Sequence, residues 1–247
     1  MEADFLNPVY YSPDKYGYFK YHFKGLEDLE LNYSQLHQDL FVLSLLQGLQ
    51  GGFYVEIGAS YPMHLSNTYL LEAAFNWQGI GIELDEEKVY KHRRLRKNKC
   101  LNINAMHVSY IELLRSIYAP HIIDYLSIDV DPSPVSLKTL KSVLKADEFK
   151  FRIITFEHDF GSGGEYERDE SRRLLSNLGY ELVVPNVSWG RSVIEDWWVK
   201  PELVDMNQLH KMRVYSNKDS TTDIHNYFYT KHTLLLPDAQ KLNKPMI

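Results

Sequence analysis

The chain has 247 residues, 44% of them hydrophobic, and a formal net charge of −6. That suits one α/β domain with elaborations and lacks the basic bias of a general nucleic-acid binder, so no nucleic-acid partner is expected. A single cysteine, Cys100, excludes an internal disulfide framework, and the sequence has neither a secretory-type leader nor a run of about 18 apolar residues for a membrane span, so a cytoplasmic location is expected.

Residues 1–32 are polar and aromatic without a clear period, and tyrosines gather toward both ends of the chain. These ends read as segments that wrap the core or meet a partner, with a homo-oligomer left open. Ser34 is a candidate cap for a helix through Leu49, ended by Gly51-Gly52. Phe53 to Ile57 reads as a buried strand. Ser66 is placed to cap a helix through Asn76, and Gly79 to Glu83 is a second strand. Asp85 caps a charged helix to Lys97, whose basic run (KHRRLRKNK) reads as a solvated face. Leu101 to Asn104 is a third strand, with Cys100 at its start as a small core residue, and 109–118 is helical. Asp124 to Asp129 is a fourth strand. Pro134 to Ala146 is a helix with proline in its first turn. Phe151 to Phe156 is a fifth strand, and 165–178 a helix stopped by Gly179. Tyr180 to Pro185 and Ser192 to Val199 are two more strands joined by a short loop. Beyond Pro201 the pattern weakens.

Strands alternating with helices demand a mostly parallel sheet covered on both faces. The closing pair adds one antiparallel strand near an edge. Seven strands in this order outline the Rossmann-like sheet of a class I methyltransferase. The expected organisation is a core domain over 33–200, with extensions at 1–32 and 201–247.

The turn after the first of these strands reads Gly58-Ala59-Ser60-Tyr61-Pro62, so the second and third glycines of a dinucleotide fingerprint are missing. A pyrophosphate needs those glycines, whereas S-adenosylmethionine carries no phosphate. The turn therefore favours a methyl donor over a nicotinamide cofactor. Glu56 sits off the apolar phase of Phe53, Val55 and Ile57, beside the turn, where a carboxylate serves either as a contact near the methionyl ammonium or as a cap for the following backbone amides. Glu83 ends the next strand, where a carboxylate accepts both ribose hydroxyls. Asn104 and Ala105 follow the third strand, where an amide and a small residue leave room for adenine.

The fourth strand ends Asp129-Val130-Asp131, and the fifth ends Glu157-His158-Asp159 before Gly161-Ser162-Gly163-Gly164. Five ionisable groups at adjacent strand ends are costly to desolvate unless they bind something. Two uses fit. His158 has the intrinsic pKa of a general base for a hydroxyl acceptor, with Asp129 and Asp131 beside it. Alternatively Asp129, Asp131 and Asp159 hold a hard divalent ion such as magnesium, which lowers the pKa of a bound hydroxyl. Trp197 and Trp198 point to opposite faces of a strand, so at least one is core. The Asn186 to Arg191 loop, with Trp189, is a candidate substrate rim. His64 and His121 read as surface or satisfied histidines.

The runs YSQLHQDLFVLSLL, GFYVEIGASYPMHLSNTYLLE, GIGIELDEE, IDYLSIDVDPSP and ITFEHD, in this order and spacing, resemble the FkbM-type methyltransferases over roughly residues 33–200. The resemblance implies S-adenosylmethionine as cofactor and O-methylation, commonly of sugars or polyketide hydroxyls, and so a carbohydrate or glycoconjugate acceptor. It implies that Glu56, Gly58 and Glu83 bind the donor, that Gln38, Asp39, Ser66 and Asn67 line its methionyl side, and that Asp129 lies beside the sulfonium. After the fourth strand the family text is nearer to I-D-x-E-G, and here Asp131-Pro132 stands in its place.

Overall fold

A computed structural model of the chain describes residues 9–10, 18–29, 31–189, 192–215 and 217–230. Eight strands form the main sheet: β4 (Phe53–Ile57), β5 (Gln78–Glu83), β6 (Lys99–Asn102), β7 (Ile122–Ile128), β8 (Lys150–Glu157), β9 (Glu181–Trp189), β10 (Ser192–Val199) and β11 (Thr222–Asp223). Their order is β11-β9-β10-β8-β7-β4-β5-β6. Only β10 runs against its neighbours, β8 and β9. The order reverses between β4 and β7, and in open α/β sheets ligands bind beyond the carboxyl ends of the strands at such a point. This is the class I methyltransferase topology. The eighth strand, β11, comes from the part of the chain read as an extension.

The alternation of each strand sorts its side chains between two cores. Tyr54, Tyr125, Ile153 and Trp197 join a core on one face with α1 (Gln38–Leu45), α2 (Tyr69–Phe75), α7 (Met206–Met212) and α8 (Ile224–Phe228). Val55, Ile57, Leu126, Ile128, Ile154, Phe156 and Trp198 join a core on the other face with α4 (Tyr110–Ser116), α5 (Ser133–Val143) and α6 (Glu165–Asn177). Trp197 and Trp198 are therefore both core, one per face. Helix α3 (Glu86–Leu95) places Val89 against Ala59 and Cys100, and Asp85 caps it by accepting from the backbone N–H of Glu87 and Lys88.

The aromatic ends meet each other. β2 (Tyr18–Phe19) pairs antiparallel with β12 (Tyr229–Thr230), and Phe19 stacks on Phe228 with ring centroids 5.4 Å apart. Phe19, Phe23, Tyr227 and Phe228 belong to the same core as α1. A further pair, β1 (Val9–Tyr10) with β3 (Leu31–Asn32), is antiparallel.

Three expectations are corrected. Helix α1 starts at Gln38, not after Ser34, because the Ser34 hydroxyl is taken by Asp39, whose carboxylate also accepts from the N–H of Tyr33, Ser34 and Leu40. The basic run is not wholly solvated: His92 and Arg96 turn inward and are buried. The loop expected over Asn186 to Arg191 is strand as far as Trp189, with Asn186 buried and bonded to Arg172 and Asp196. The Trp189 side chain, Gly190 and Arg191, read as a rim, lie outside the described residues. Among the described residues no helix is long and apolar enough to cross a membrane.

Candidate active site

The carboxyl ends of β4, β5, β6, β7 and β8 open on a crevice of about 1040 Å³. Its floor is the turn after β4. Gly58 has φ +85°, and a Cβ built there would lie 1.7 Å from the Asp129 carbonyl oxygen. No other residue lets the tips of β4 and β7 approach so closely. Both Gly58 and Ala59 donate their N–H to the Ile82 carbonyl, at 2.9 and 3.0 Å. The turn is thereby fixed to β5 as well.

Glu83 at the end of β5 is held ready. Its two oxygens accept from the N–H of Ser60 and of Asp85, each at 2.8 Å, and the residue lines the crevice with further acceptor capacity on each oxygen. Beyond it, Ile103, Asn104, Ala105 and Met106 form a slot, with the Asn104 side chain accepting from the Met106 N–H.

The wall beside Gly58 is the 60–68 loop. Asn67 is 4% exposed, its amide donates to Ser127 at 2.9 Å, and its side-chain oxygen has no hydrogen-bond partner. Glu56, 3% exposed, accepts from the Asn67 N–H and from the Ser66 and Thr68 hydroxyls. Burial pushes its carboxyl upward, and Arg96 with these three donors pulls it back.

Across the centre, sheet register builds a row of acids. Ile128 aligns with Phe156 in the parallel β7–β8 ladder, so the next residues, Asp129 and Glu157, stand side by side. Glu195 of β10 faces Glu157 in the antiparallel ladder. The Asp129 and Glu157 carboxyls hydrogen-bond to each other. Burial first, then the bond to Asp129 and the negative charges around it, push Glu157 up to about 12. Glu157 is therefore the member of the pair that holds the proton more tightly, and burial raises the pKa of Asp129 above the ordinary carboxylate value. Glu195 is 3% exposed and accepts from the Gln38 amide and the Trp197 indole, and burial lifts it to about 8.

The crevice brings together Glu56, Gly58, Asn67, Glu83, Asn104, Ala105, Asp129, Asp131 and Asp159 from the sequence reading. It does not bring His158. One residue beyond Glu157, His158 turns to the opposite face, fully buried, where it accepts from the Phe160 N–H and lies 3.5 Å from Asp196, itself paired with Arg172. It anchors the loop that carries Asp159 and is not positioned as a base. Gln38, Asp39 and Ser66 also stand behind the crevice wall: Gln38 binds Glu195, Asp39 ties its own loop, and Ser66 binds Glu56. No group of three or more metal-ligating side chains converges among the described residues, so Asp129, Asp131 and Asp159 are not gathered into a cation cage. Sequence reasoning gave no role to Glu157, Glu195 or Arg96. Glu157 was detectable, because it is the first residue after the apolar run of its strand, as Asp129 is of its own. Nothing local marks Arg96.

Fold and strand-tip crevice together define the chain as having the class I methyltransferase fold. Among solved structures, the METTL16 methyltransferase domain (crystal form 2) matches 75% of this chain and 74% of its own, at 15% identity and a TM-score of 0.50. Magnesium protoporphyrin IX methyltransferase from Synechocystis PCC 6803, solved with its methyl donor bound, matches 67% of this chain and 80% of its own, at 13% identity and a TM-score of 0.46. A methyltransferase from Pyrococcus furiosus matches 72% and 91%, at 16% identity and a TM-score of 0.43. At these identities the likeness is one of fold. No family model matches the sequence, and no curated protein matches it either.

Proposed function

We propose that the protein is an S-adenosylmethionine-dependent O-methyltransferase of FkbM type, acting on a hydroxyl of a neutral carbohydrate or glycoconjugate. The observation that carries this reading is a crevice that sets Asp129 beside Glu157 at the tips of β7 and β8 and also presents Glu83 and an unpartnered Asn67 oxygen.

The residues fit the donor. The Asn67 oxygen is a buried acceptor awaiting a cation, and the methionyl ammonium supplies one. Glu83 has one free lone pair on each oxygen for the two ribose hydroxyls. The slot from Ile103 to Met106 takes adenine. When bound, the donor supplies an electrophilic methyl group on a sulfonium. This chain's part is to position and deprotonate the acceptor. Alignment of reacting groups can supply about 7–11 kcal/mol of barrier lowering in ideal cases. Asp129 takes the hydroxyl proton, and Glu157 keeps Asp129 ionised and oriented by donating to it.

The walls set the acceptor class. Asp131 and Asp159 line the acceptor end, and among the described lining residues the one cation is Lys88, whose ammonium sits 3.2 Å from the Ser60 hydroxyl. Phosphate groups are repelled by such a field, and a neutral polyol is not. The test is transfer from methyl-labelled donor to a panel of neutral glycans, amine-bearing glycans and RNA. An alkali-stable methyl ether on a neutral glycan is expected. Label confined to RNA or to amines overturns the acceptor assignment.

A further inference from the structure

Arg96 lies in the basic run read as a solvated face, yet it is 8% exposed. Its guanidinium has five N–H groups, and five acceptors surround it. The Glu72 carboxylate accepts at 2.8 Å, the Pro62 carbonyl at 2.9 Å, the Ser66 hydroxyl at 3.2 Å, and the Tyr54 and Thr68 hydroxyls at 3.0 Å. Glu72 is further tied by the N–H of Lys97 and Asn98 and by the Tyr54 hydroxyl.

Direction matters in this network. A guanidinium can only donate, so the Ser66 and Thr68 oxygens are occupied as acceptors. Their hydrogens then point onward, and both hydroxyls donate to Glu56, at 3.3 and 2.7 Å. Asn67, between them, gives its N–H to the same carboxylate at 2.9 Å. Three consecutive residues are thus clamped from one side by a cation and from the other by an anion. Asn67 is the member of the three whose side chain lines the crevice, with its oxygen unpartnered.

We infer that Arg96 is a positioning residue for the amino-acid end of the donor: through Ser66 and Thr68 it fixes Glu56 and aims the Asn67 oxygen at the ammonium. The inference rests on the donor reading above. It divides the site into two halves, and Thr68, which touches only the second, tells them apart. The nucleoside half hangs on Glu83, which is held by Ser60 and Asp85. The amino-acid half hangs on the Arg96 clamp. A side chain that merely stabilised the fold would weaken both halves together or neither.

Two ligands read the halves apart. S-adenosylhomocysteine carries nucleoside and amino acid, and 5′-methylthioadenosine lacks the amino acid. Calorimetric titrations of wild type, Arg96→Lys and Thr68→Val with both ligands make the test, each protein first shown to unfold cooperatively. Thr68→Val keeps the side-chain volume and removes only the relay hydroxyl, so it decides the matter should Arg96→Lys not fold. The variants are expected to lose S-adenosylhomocysteine affinity by about tenfold or more, the cost of a misplaced hydrogen bond to a charged group, with methylthioadenosine affinity unchanged. Unchanged affinity for both ligands, or equal loss of both, overturns the inference while leaving the donor reading intact. Wild type binding neither ligand overturns the donor reading and the inference with it.

Discussion

Gly58→Ala is expected to collapse the donor site and to cost about 3 kcal/mol or more of stability. Two penalties add. The residue sits at φ +85°, where a side chain is strained by about 1–3 kcal/mol. The new Cβ would also lie 1.7 Å from the Asp129 carbonyl oxygen and 2.7 Å from its carbon. Those are backbone atoms, tied by the Asp129 N–H to the Ile57 carbonyl at 3.0 Å, so they cannot swing aside as a side chain would. Relief requires β4 and β7 to part at the tips, which moves Asp129 away from Glu157. Gly51→Ala is the control. Gly51 has φ +70°, but a Cβ there would meet nothing within 4 Å, so it carries the backbone strain alone and leaves ligand binding untouched. Urea unfolding midpoints and ligand titration of the two variants check this. Equal effects of the two substitutions would contradict the claim that close approach at Gly58 builds the site.

Asp129→Asn is expected to lower kcat by about 10²–10⁴-fold, the usual range for loss of a general base. The pH dependence gives the same residue a second signature. Burial raises the Asp129 pKa, and the working form is the ionised one. Activity is then lost as pH falls through that raised value, so the acid limb of the rate profile lies above the ordinary aspartate value of about 3.9. Glu157 lowers Asp129 by donating a hydrogen bond to it. Glu157→Gln keeps a donor, and the limb stays in place. Glu157→Ala removes the donor, and the limb moves to still higher pH. Wild-type kcat in Asp129→Asn, or a limb at the unperturbed value, would contradict the role given to this pair.

The strands of the central sheet were legible because each is a short apolar run between turn residues, and their order with the helices fixed the topology. The segment after Pro201 was not. Its elements are short, and they hold by contacts far away in sequence: Tyr229 pairs with Phe19, and Thr222 with Val187. Glu56 and Glu83 were readable from their places beside the turn and at a strand end. His158 lies outside the crevice by one position. Its pKa suited the chemistry, but strand alternation is indifferent to pKa and turns residue 158 to the face opposite Glu157. Gln38 and Arg96 were opaque for another reason. The Gln38 amide meets Glu195 at 2.8 Å across 157 residues of chain, and the Arg96 guanidinium meets Tyr54 across 42. Side chains buried by such distant partners look, in sequence, like ordinary surface polar residues.

On the proposed function, the site grips an adenosyl group by Glu83 and aims its amino acid end at Asn67. Calorimetric titration of wild type and Glu83→Ala with S-adenosylhomocysteine tests this most directly. The account predicts saturable one-to-one binding by wild type, with a dissociation constant on the order of micromolar. It predicts a loss of about 100-fold in Glu83→Ala, which removes two hydrogen bonds to a charged acceptor. Wild type giving no saturable heat with millimolar ligand, or Glu83→Ala binding as tightly as wild type, would contradict it.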